Sequence, residues 1–304
     1  MANAADVYGL AELRRWPDVT NGVNPPLRLA VCGDPVAHSA SPPMHNAALE
    51  HCGIAARYTR LHLRADELRE AFSLLGRNGF IGVNCTIPHK PAALTLVDDV
   101  DASARRAGGV NTVRVREDGK LEGFSTDGAG MSRAVHEAFG AKLGEVRVAV
   151  LGAGGGAGRA VAMQCASEGS KRVALINRTL DKLAALRDEI ACEFPNCAVE
   201  VAGLDLEALE SQLGQSDLVI NCTALGMTPG DPSPLPAGLL RADQLVLDTI
   251  YIAARTPLML AADAAGARSA NGLPMLLHQG ALSFEIWFGR EAPLEVMRAA
   301  LLRK

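Results

Sequence analysis

The stretch "VAVLGAGGGAGRAVAMQ", residues 148–164, decides the fold. An apolar run leads into clustered glycines, and small residues with helical potential follow. Gly152 and Gly154 begin a G-x-G-x-x-G/A fingerprint whose third position is Ala157. Such glycines let the backbone approach a pyrophosphate, while the next helix offers N–H donors and positive potential. The fingerprint alone is weak evidence, because other tight turns satisfy it as well.

The segments around this stretch strengthen the interpretation. The apolar runs "RVALINRT", "DLVINCT" and "QLVLDTIY" follow it and alternate with helical segments. That alternation is typical of a parallel sheet covered by helices. We therefore predict a Rossmann-like domain with a parallel sheet over residues 127–271.

The end of the second predicted strand indicates which dinucleotide binds. NAD sites usually carry Asp or Glu there, which accepts a hydrogen bond from the ribose 2′-OH. This chain has Asn177, Arg178 and Thr179 instead, a neutral amide followed by a guanidinium and a hydroxyl. These groups favour a 2′-phosphate, which a carboxylate would repel. The pattern predicts NADP, although a solvated arginine at a strand end would look the same; Lys182 either adds charge or is simply exposed.

The first half of the chain predicts a second α/β domain. Strand patterns at "LRLAVCG", "RYTRLHL" and "GFIGVNCTI" alternate with helical patterns, and "GGVNTVRVREDGKLEGFSTD" predicts a hairpin that turns at Asp118-Gly119. Helical pattern returns from about Gly280 to the end, broken near "FGREAP". We expect residues 1–126, completed by a helical segment at 272–304, to form the substrate-binding and catalytic domain. A short helix is expected in the leader, over about residues 6–15.

Composition excludes several classes of function. The net charge of −4 and 4% aromatic content argue against a nucleic-acid partner, and the glycine cluster breaks the one window apolar enough to suggest a membrane span. Seven scattered cysteines without a C-x-x-C pair, and histidines without ligand spacing, predict no metal site and a reducing compartment. The N-terminal residues have no apolar signal region, so we expect a cytoplasmic protein. We also expect it to be a monomer or a homodimer.

Several further motifs in the chain together carry a family resemblance. "GDPVAHSASPPMHN", "NCTIPHK", "GGVNT", "GFSTDGAG", "NRT", "IYIAARTPL" and "GLPMLLHQGALSFEIWFG" occur in one order. From about residue 28 onward the chain closely resembles the shikimate dehydrogenase family. The resemblance implies NADP-dependent, reversible reduction of 3-dehydroshikimate to shikimate in aromatic amino-acid biosynthesis.

The resemblance also implies roles for matching residues. Ser39 and Ser41 would hold the substrate carboxylate, with Tyr251 reaching over from the cofactor domain. Ring hydroxyls would be bound by Thr86, Asn111 and Gln279. The catalytic pair at the reacting carbon would be Lys90 and Asp127, both in contact with substrate. Contacts to NADP would come from Gly152, Ala153, Gly154, Gly155, Gly156, Asn177, Arg178, Thr179, Thr249 and Gly272.

The spacing of Ser39 and Ser41 agrees with binding of a carboxylate. In an extended segment residues two apart face the same way, so Ser39 and Ser41 would present paired hydroxyls. Ser41 also suits an N-cap, with Pro42 at the first helical position. Because Pro42 and Pro43 lack an N–H, hydroxyls rather than amides would hold an anion. A bare N-cap would leave Ser39 without a role, which favours a carboxylate site.

Two rival functions remain open at this point. A relative that prefers quinate would share most of these motifs, and a silent member that senses NADP or shikimate would need neither Lys90 nor Asp127. Four departures from the usual family pattern put fine substrate preference in doubt: Cys85, Ser125, Ile252-Ala253 and Pro274.

Overall fold

The computed structural model describes residues 7–303, which divide into two compact units. Unit 1 holds the described residues up to Thr126 together with those from Leu277 onward, and unit 2 is Asp127–Leu276. The chain returns from unit 2 to unit 1 at Leu277, five residues after position 272, where the sequence predicts the return. Unit 2 is continuous in the chain, whereas unit 1 is assembled from two segments.

Unit 1 is built on a seven-stranded mixed sheet in the order β1-β3-β2-β4-β6-β7-β5. Neighbours are parallel except at β4/β6 and β6/β7. The strands are β1 (Val7–Tyr8), β2 (Leu27–Gly33), β3 (Arg57–His62), β4 (Gly82–Cys85), β5 (Asp99–Val100), β6 (Thr112–Val115) and β7 (Leu121–Phe124). The helices are α1 (Leu10–Arg14), α2 (Trp16–Val19), α3 (Ser41–His51), α4 (Leu68–Leu75), α5 (Lys90–Ala93) and α6 (Ala102–Ala107).

Unit 2 is built on a six-stranded, fully parallel sheet in the order β10-β9-β8-β11-β12-β13. Its strands are β8 (Val148–Leu151), β9 (Arg172–Ile176), β10 (Ala198–Ala202), β11 (Leu218–Asn221), β12 (Leu245–Asp248) and β13 (Arg268–Ala270). Its helices are α7 (Asp127–Phe139), α8 (Gly156–Ser167), α9 (Asp181–Glu193), α10 (Leu206–Gly214) and α11 (Pro257–Ala264), with a 3₁₀ turn at Leu143–Glu145. The predicted Rossmann-like parallel sheet is confirmed.

The chain ends in two helices, α12 (Leu273–Phe288) and α13 (Leu294–Leu302). From Leu277 onward their apolar residues join α3 and the β2 and β3 strands in one core, which includes Phe284, Met44 and Leu29. On the other face of the same sheet, α1 and α4 cover a second core. The short helix predicted over about residues 6–15 is present as α1, although the strand β1 occupies the start of that range; residue 6, its first predicted position, lies outside the described residues.

Candidate active site

In unit 1 the predicted substrate residues gather at one edge of the sheet. The parallel strands β2 and β4 end at this edge, and antiparallel pairing makes β6 begin and β7 end there. A Cβ placed on Gly33 would lie 2.3 Å from the Cγ2 methyl of Thr86, so the ends of β2 and β4 are in close contact. The fold therefore brings the Ser39–Ser41 segment, Thr86 and Asn111 to the same edge.

The local structure of the two serines differs from the prediction. Helix α3 begins at Ser41, and its N-cap is Ala40, with helical rather than extended angles (φ −86°, ψ 0°). The backbone N–H of Ser41 donates to Oγ of Ser39 at 3.3 Å. Because Pro42 and Pro43 have no N–H, this amide is one of the few donors in the first helical turn, and Ser39 satisfies it. The expected N-cap role of Ser41 is wrong, and Ser39 performs a comparable one.

Asn84 is the centre of a buried hydrogen-bond network at this edge. Its Nδ2 lies 3.1 Å from the carbonyl oxygen of Asn111 and 3.0 Å from Oγ of Ser283 on α12. Its Oδ1 accepts from the Tyr58 hydroxyl at 2.7 Å. Since a carbonyl can only accept, the contact with Asn111 fixes which way the Asn84 amide points. The network therefore links strands β3, β4 and β6 to α12.

The same network orients the side chain of Asn111. Its Oδ1 accepts from the backbone N–H of Thr126 at 2.8 Å, and its Nδ2 lies 2.9 Å from Thr126 Oγ1 and 3.5 Å from Oε1 of Gln279. Asn111 and Gln279, two predicted ring-hydroxyl ligands separated by 168 positions in the chain, are therefore neighbours in unit 1.

The predicted catalytic residues each begin a helix. Lys90 is the first residue of α5 and half-buried; its carbonyl oxygen accepts from Val110 N at 2.9 Å, next to Asn111. Asp127 is the first residue of α7 in unit 2 and is buried. Tyr251, also in unit 2, is half-buried, and desolvation raises the pKa of its hydroxyl.

The glycine loop of unit 2 lies where the strand order reverses, between β8 and β11. Gly152 has φ +78°, a conformation that favours glycine, and a Cβ there would lie 3.0 Å from the backbone of Cys222 and Thr223. In parallel α/β sheets such a reversal opens a crevice at the carboxyl ends of the strands, where ligands bind. Gly155 is the N-cap of α8. The amide groups of Gly156 and Ala157 therefore lie in the first turn, where a helix offers no carbonyl partner for them.

The close approach of helix to loop falls one residue later than the fingerprint predicts. A Cβ on Gly158 would lie 2.2 Å from the Gly152 carbonyl oxygen and 2.8 Å from Cα of Ala153. Five residues separate Gly152 from Gly158, whereas G-x-G-x-x-G separates its outer glycines by four. Gly158, which the fingerprint does not single out, therefore fills the packing role expected at Ala157.

The residues predicted to read the 2′-phosphate lie beside this loop. A Cβ on Gly154 would lie 2.9 Å from Nδ2 of Asn177 and 3.3 Å from Cβ of Lys182, in the first turn of α9. Nδ2 of Asn177 donates to the Thr179 carbonyl at 3.0 Å, which shapes the turn after β9, and the side chain of Arg178 is exposed. The structure thus places Arg178 in the turn after β9 and the backbone end of the Lys182 side chain beside the glycine loop.

Thr249 and Gly272 are also neighbours, after β12 and β13. A Cβ on Gly272 would lie 2.0 Å from the Thr249 carbonyl oxygen, and the Gly272 amide donates to Ile250 O at 2.9 Å. Asp248, which sequence reasoning missed, organises this turn: it accepts from Thr256 Oγ1 at 2.6 Å and from Asn221 Nδ2 at 2.9 Å. Its burial raises the pKa of its carboxyl group.

Two classes of site receive no support from the described residues. Within 7–303, no cluster of three or more His, Cys, Asp or Glu side chains is arranged to hold a metal ion. In the same range no helix is both long and apolar enough to cross a membrane.

The fold and site together define a two-domain α/β oxidoreductase with a Rossmann-like dinucleotide domain. Family models match three stretches: "Shikimate dehydrogenase substrate binding domain" at residues 31–113, "Saccharopine dehydrogenase NADP binding domain" at 148–225 and "Shikimate 5'-dehydrogenase C-terminal domain" at 272–302. The chain belongs to the shikimate dehydrogenase family, which confirms the resemblance seen in its motifs.

Its relatives match along most of their length. Shikimate dehydrogenases (NADP(+)) from Methanopyrus kandleri and Symbiobacterium thermophilum are 40% and 42% identical over 276 residues, which is 90% of this chain and 94% and 93% of theirs. The Thermus thermophilus shikimate 5-dehydrogenase, solved with NADP(H) and shikimate, is 38% identical with a TM-score of 0.81 over 91% of this chain and 99% of that one. Quinate dehydrogenase from Corynebacterium glutamicum, solved with NAD, is 29% identical with a TM-score of 0.79 over the same shares.

Proposed function

We propose that this protein is an NADP-dependent shikimate dehydrogenase that reduces 3-dehydroshikimate reversibly to shikimate. The observation that carries the proposal is the polar edge of unit 1, where serine hydroxyls, Thr86, Asn111 and Gln279 gather around the Asn84 network. A small acid with several hydroxyls needs a carboxylate site and separate hydrogen-bond partners for its ring. We assign Ser39 and Ser41, with Tyr251 from unit 2, to the carboxylate, and Thr86, Asn111 and Gln279 to the ring hydroxyls.

Lys90 and Asp127 are assigned to proton transfer. NADPH, when bound, supplies the hydride to the substrate carbonyl. Negative charge then develops on the carbonyl oxygen, and the Lys90 ammonium stabilises that charge and donates a proton. Asp127 would accept a hydrogen bond from the substrate hydroxyl that this oxygen becomes. A protein that only senses shikimate would need neither group.

Unit 2 is assigned to NADP. The glycine loop with Gly152, Ala153, Gly154, Gly155 and Gly156 would face the pyrophosphate, and the turn with Thr249 and Gly272 would complete the site. Arg178 would contact the 2′-phosphate in a forked, charge-assisted arrangement, supported by Asn177, Thr179 and Lys182. The relatives named for NADP(+) support this choice of cofactor.

The test of substrate and cofactor is a steady-state comparison. Oxidation of shikimate and of quinate should be measured with NADP⁺ and with NAD⁺, each as kcat/KM. We expect the shikimate–NADP⁺ pair to exceed the other three. A higher value for quinate would replace the proposal with a quinate dehydrogenase, and no turnover of either acid would favour the sensor.

The catalytic assignment has its own test. Lys90→Ala should lower kcat by roughly 10²- to 10⁴-fold with little change in substrate affinity. Asp127→Asn should be severely impaired as well, and the double variant should be far from additive because the two groups act as a unit. A Lys90→Ala enzyme that retains most of its turnover would remove Lys90 from the chemistry.

We further propose a cytoplasmic location, which the free thiols at all seven cysteines support. The protein would act there as a monomer or homodimer.

A further inference from the structure

The segment proposed to bind the substrate carboxylate carries no permanent positive charge of its own. Residues 33–46 contain neither Lys nor Arg, and their one acidic side chain, Asp34, is held by His62 at 2.9 Å. His45 is buried, and desolvation lowers its pKa to about 3, so its ring is neutral near pH 7. A carboxylate that binds to this segment loses part of its hydration, and burying an unpaired charge is costly. The positive charge that compensates it must therefore come from another helix or strand.

Arg60 on β3 lies directly behind this segment. Its Nη2 donates to the carbonyl oxygen of Ser39 at 2.8 Å. Its Nε is buried without a hydrogen-bond partner, and across residues 7–303 the guanidinium forms no ion pair with an acidic side chain. A half-buried guanidinium without a protein carboxylate is costly unless an anion reaches it.

Tyr58 must donate to Asn84, since the Asn84 amide is fixed by the Asn111 carbonyl. The positive charge of Arg60 also acts on Tyr58, and it holds the pKa of that hydroxyl lower than burial alone would set it.

We propose that Arg60 is a specificity-determining residue of the site: its guanidinium supplies the positive charge through which the Ser39–Ser41 segment selects a substrate carboxylate over a neutral group. The inference rests on the proposed function, because it takes the anion to be the carboxylate of shikimate or quinate. It adds a residue that lies outside the Ser39–Ser41 segment, 19 positions after Ser41 in the chain.

The decisive variant is Arg60→Gln, which can still donate to the Ser39 carbonyl but carries no charge. The matched control is Arg57→Met, which removes the arginine at the first position of the same strand. Each protein should be assayed with shikimate and with its methyl ester, which differs at the carboxylate alone. We expect Arg60→Gln to lower kcat/KM for shikimate at least about 10-fold, chiefly through KM, and to leave kcat/KM for the ester and KM for NADP⁺ near wild type. Arg60→Lys should restore part of the preference for shikimate over the ester. Arg57→Met should leave kcat/KM for both substrates near the wild-type value.

Two results would overturn the inference. An unchanged KM for shikimate in Arg60→Gln would show that the charge is not used. An equal loss of kcat/KM with shikimate and with its ester that Arg60→Lys does not restore would show that Arg60 only stabilises the Ser39–Ser41 segment. If the wild-type protein turns over neither shikimate nor quinate, the proposed function itself fails and this inference fails with it; that outcome is visible before any variant is made.

Discussion

Replacing Gly158 with alanine tests whether the glycine loop depends on close packing of α8 against it. The new Cβ would lie 2.2 Å from the Gly152 carbonyl oxygen and 2.8 Å from Cα of Ala153, whereas ordinary contact begins near 3.4 Å. Both neighbours are backbone atoms, so no side-chain rotation relieves the overlap. Helix or loop must shift by roughly 1 Å, and overpacking of this kind costs about 1–3 kcal/mol.

Helix propensity offsets part of that cost, because alanine is favoured over glycine in a helix by up to about 1 kcal/mol. The net loss should be about 1–2 kcal/mol, or a fall in Tm of roughly 2–8 °C for unit 2. Affinity for NADP should also drop, by about 10-fold or more, since amides placed for a pyrophosphate would move with the loop. Thermal unfolding of the protein without cofactor and calorimetric titration with NADP⁺ measure the two effects.

Gly156→Ala is the matched control for stability. It lies two residues earlier in the same helix, and a Cβ there would meet nothing within 4 Å. Its free energy of unfolding should stay level or rise by up to about 1 kcal/mol. If Gly158→Ala proves as stable as Gly156→Ala and binds NADP⁺ like wild type, the packing argument is wrong.

Three further perturbations give separate tests. Arg178→Ala should weaken NADP binding about 10- to 100-fold and NAD binding much less, and an equal loss for both in direct titration would mean that the arginine supports the loop. Ser39→Ala should raise KM for shikimate and also lower the free energy of unfolding by about 1 kcal/mol, because the Ser41 amide loses its acceptor; a change in KM with unaltered denaturant unfolding would contradict the turn described here. Burial lowers the pKa of His45 to about 3. Below about pH 6.5, therefore, His45 binds a proton in the unfolded chain but not in the folded protein. The free energy of unfolding should fall by up to about 1.4 kcal/mol for each pH unit in this range. His45→Phe, which preserves stacking on Tyr58, should flatten that slope in denaturant titrations at several pH values.

The sequence predicted those parts of the fold that depend on local pattern. The apolar run that leads into the glycine loop and the three predicted runs after it became adjacent parallel strands, and the hairpin turns at Gly119, whose φ is +81°. The strands β10 and β13 were missed. Both lie at sheet edges, and the alternating, partly exposed "AVEVA" of β10 has no continuous apolar run to reveal it.

The candidate site was less predictable, because its contacts are long-range or depend on exact helix starts. Motif order singled out Ser39, Asn111 and Lys90, but their roles stay predictions until the variants are made. No local signal marks Ser283, which meets Asn84 across 199 positions, or Arg60, whose partner Ser39 is 21 positions away. The N-cap of α3 was misplaced by one residue, since Ser-Pro-Pro fits an N-cap serine and a first-turn serine equally well.

The discontinuity of unit 1 sets an order of folding during synthesis. Unit 2 is one uninterrupted segment and can collapse as soon as Leu276 has left the ribosome, whereas the core around Leu29 and Tyr58 needs Phe284 and Trp287 from α12. At about 5–20 residues per second, those two helix residues emerge roughly 10–45 s after Tyr58. Throughout that interval half of a hydrophobic core stays open to solvent beside the growing chain. The N-terminal half is therefore the part of the nascent protein that most needs chaperone protection. A chain truncated directly after Leu276 should contain a folded nucleotide domain attached to an aggregation-prone remainder.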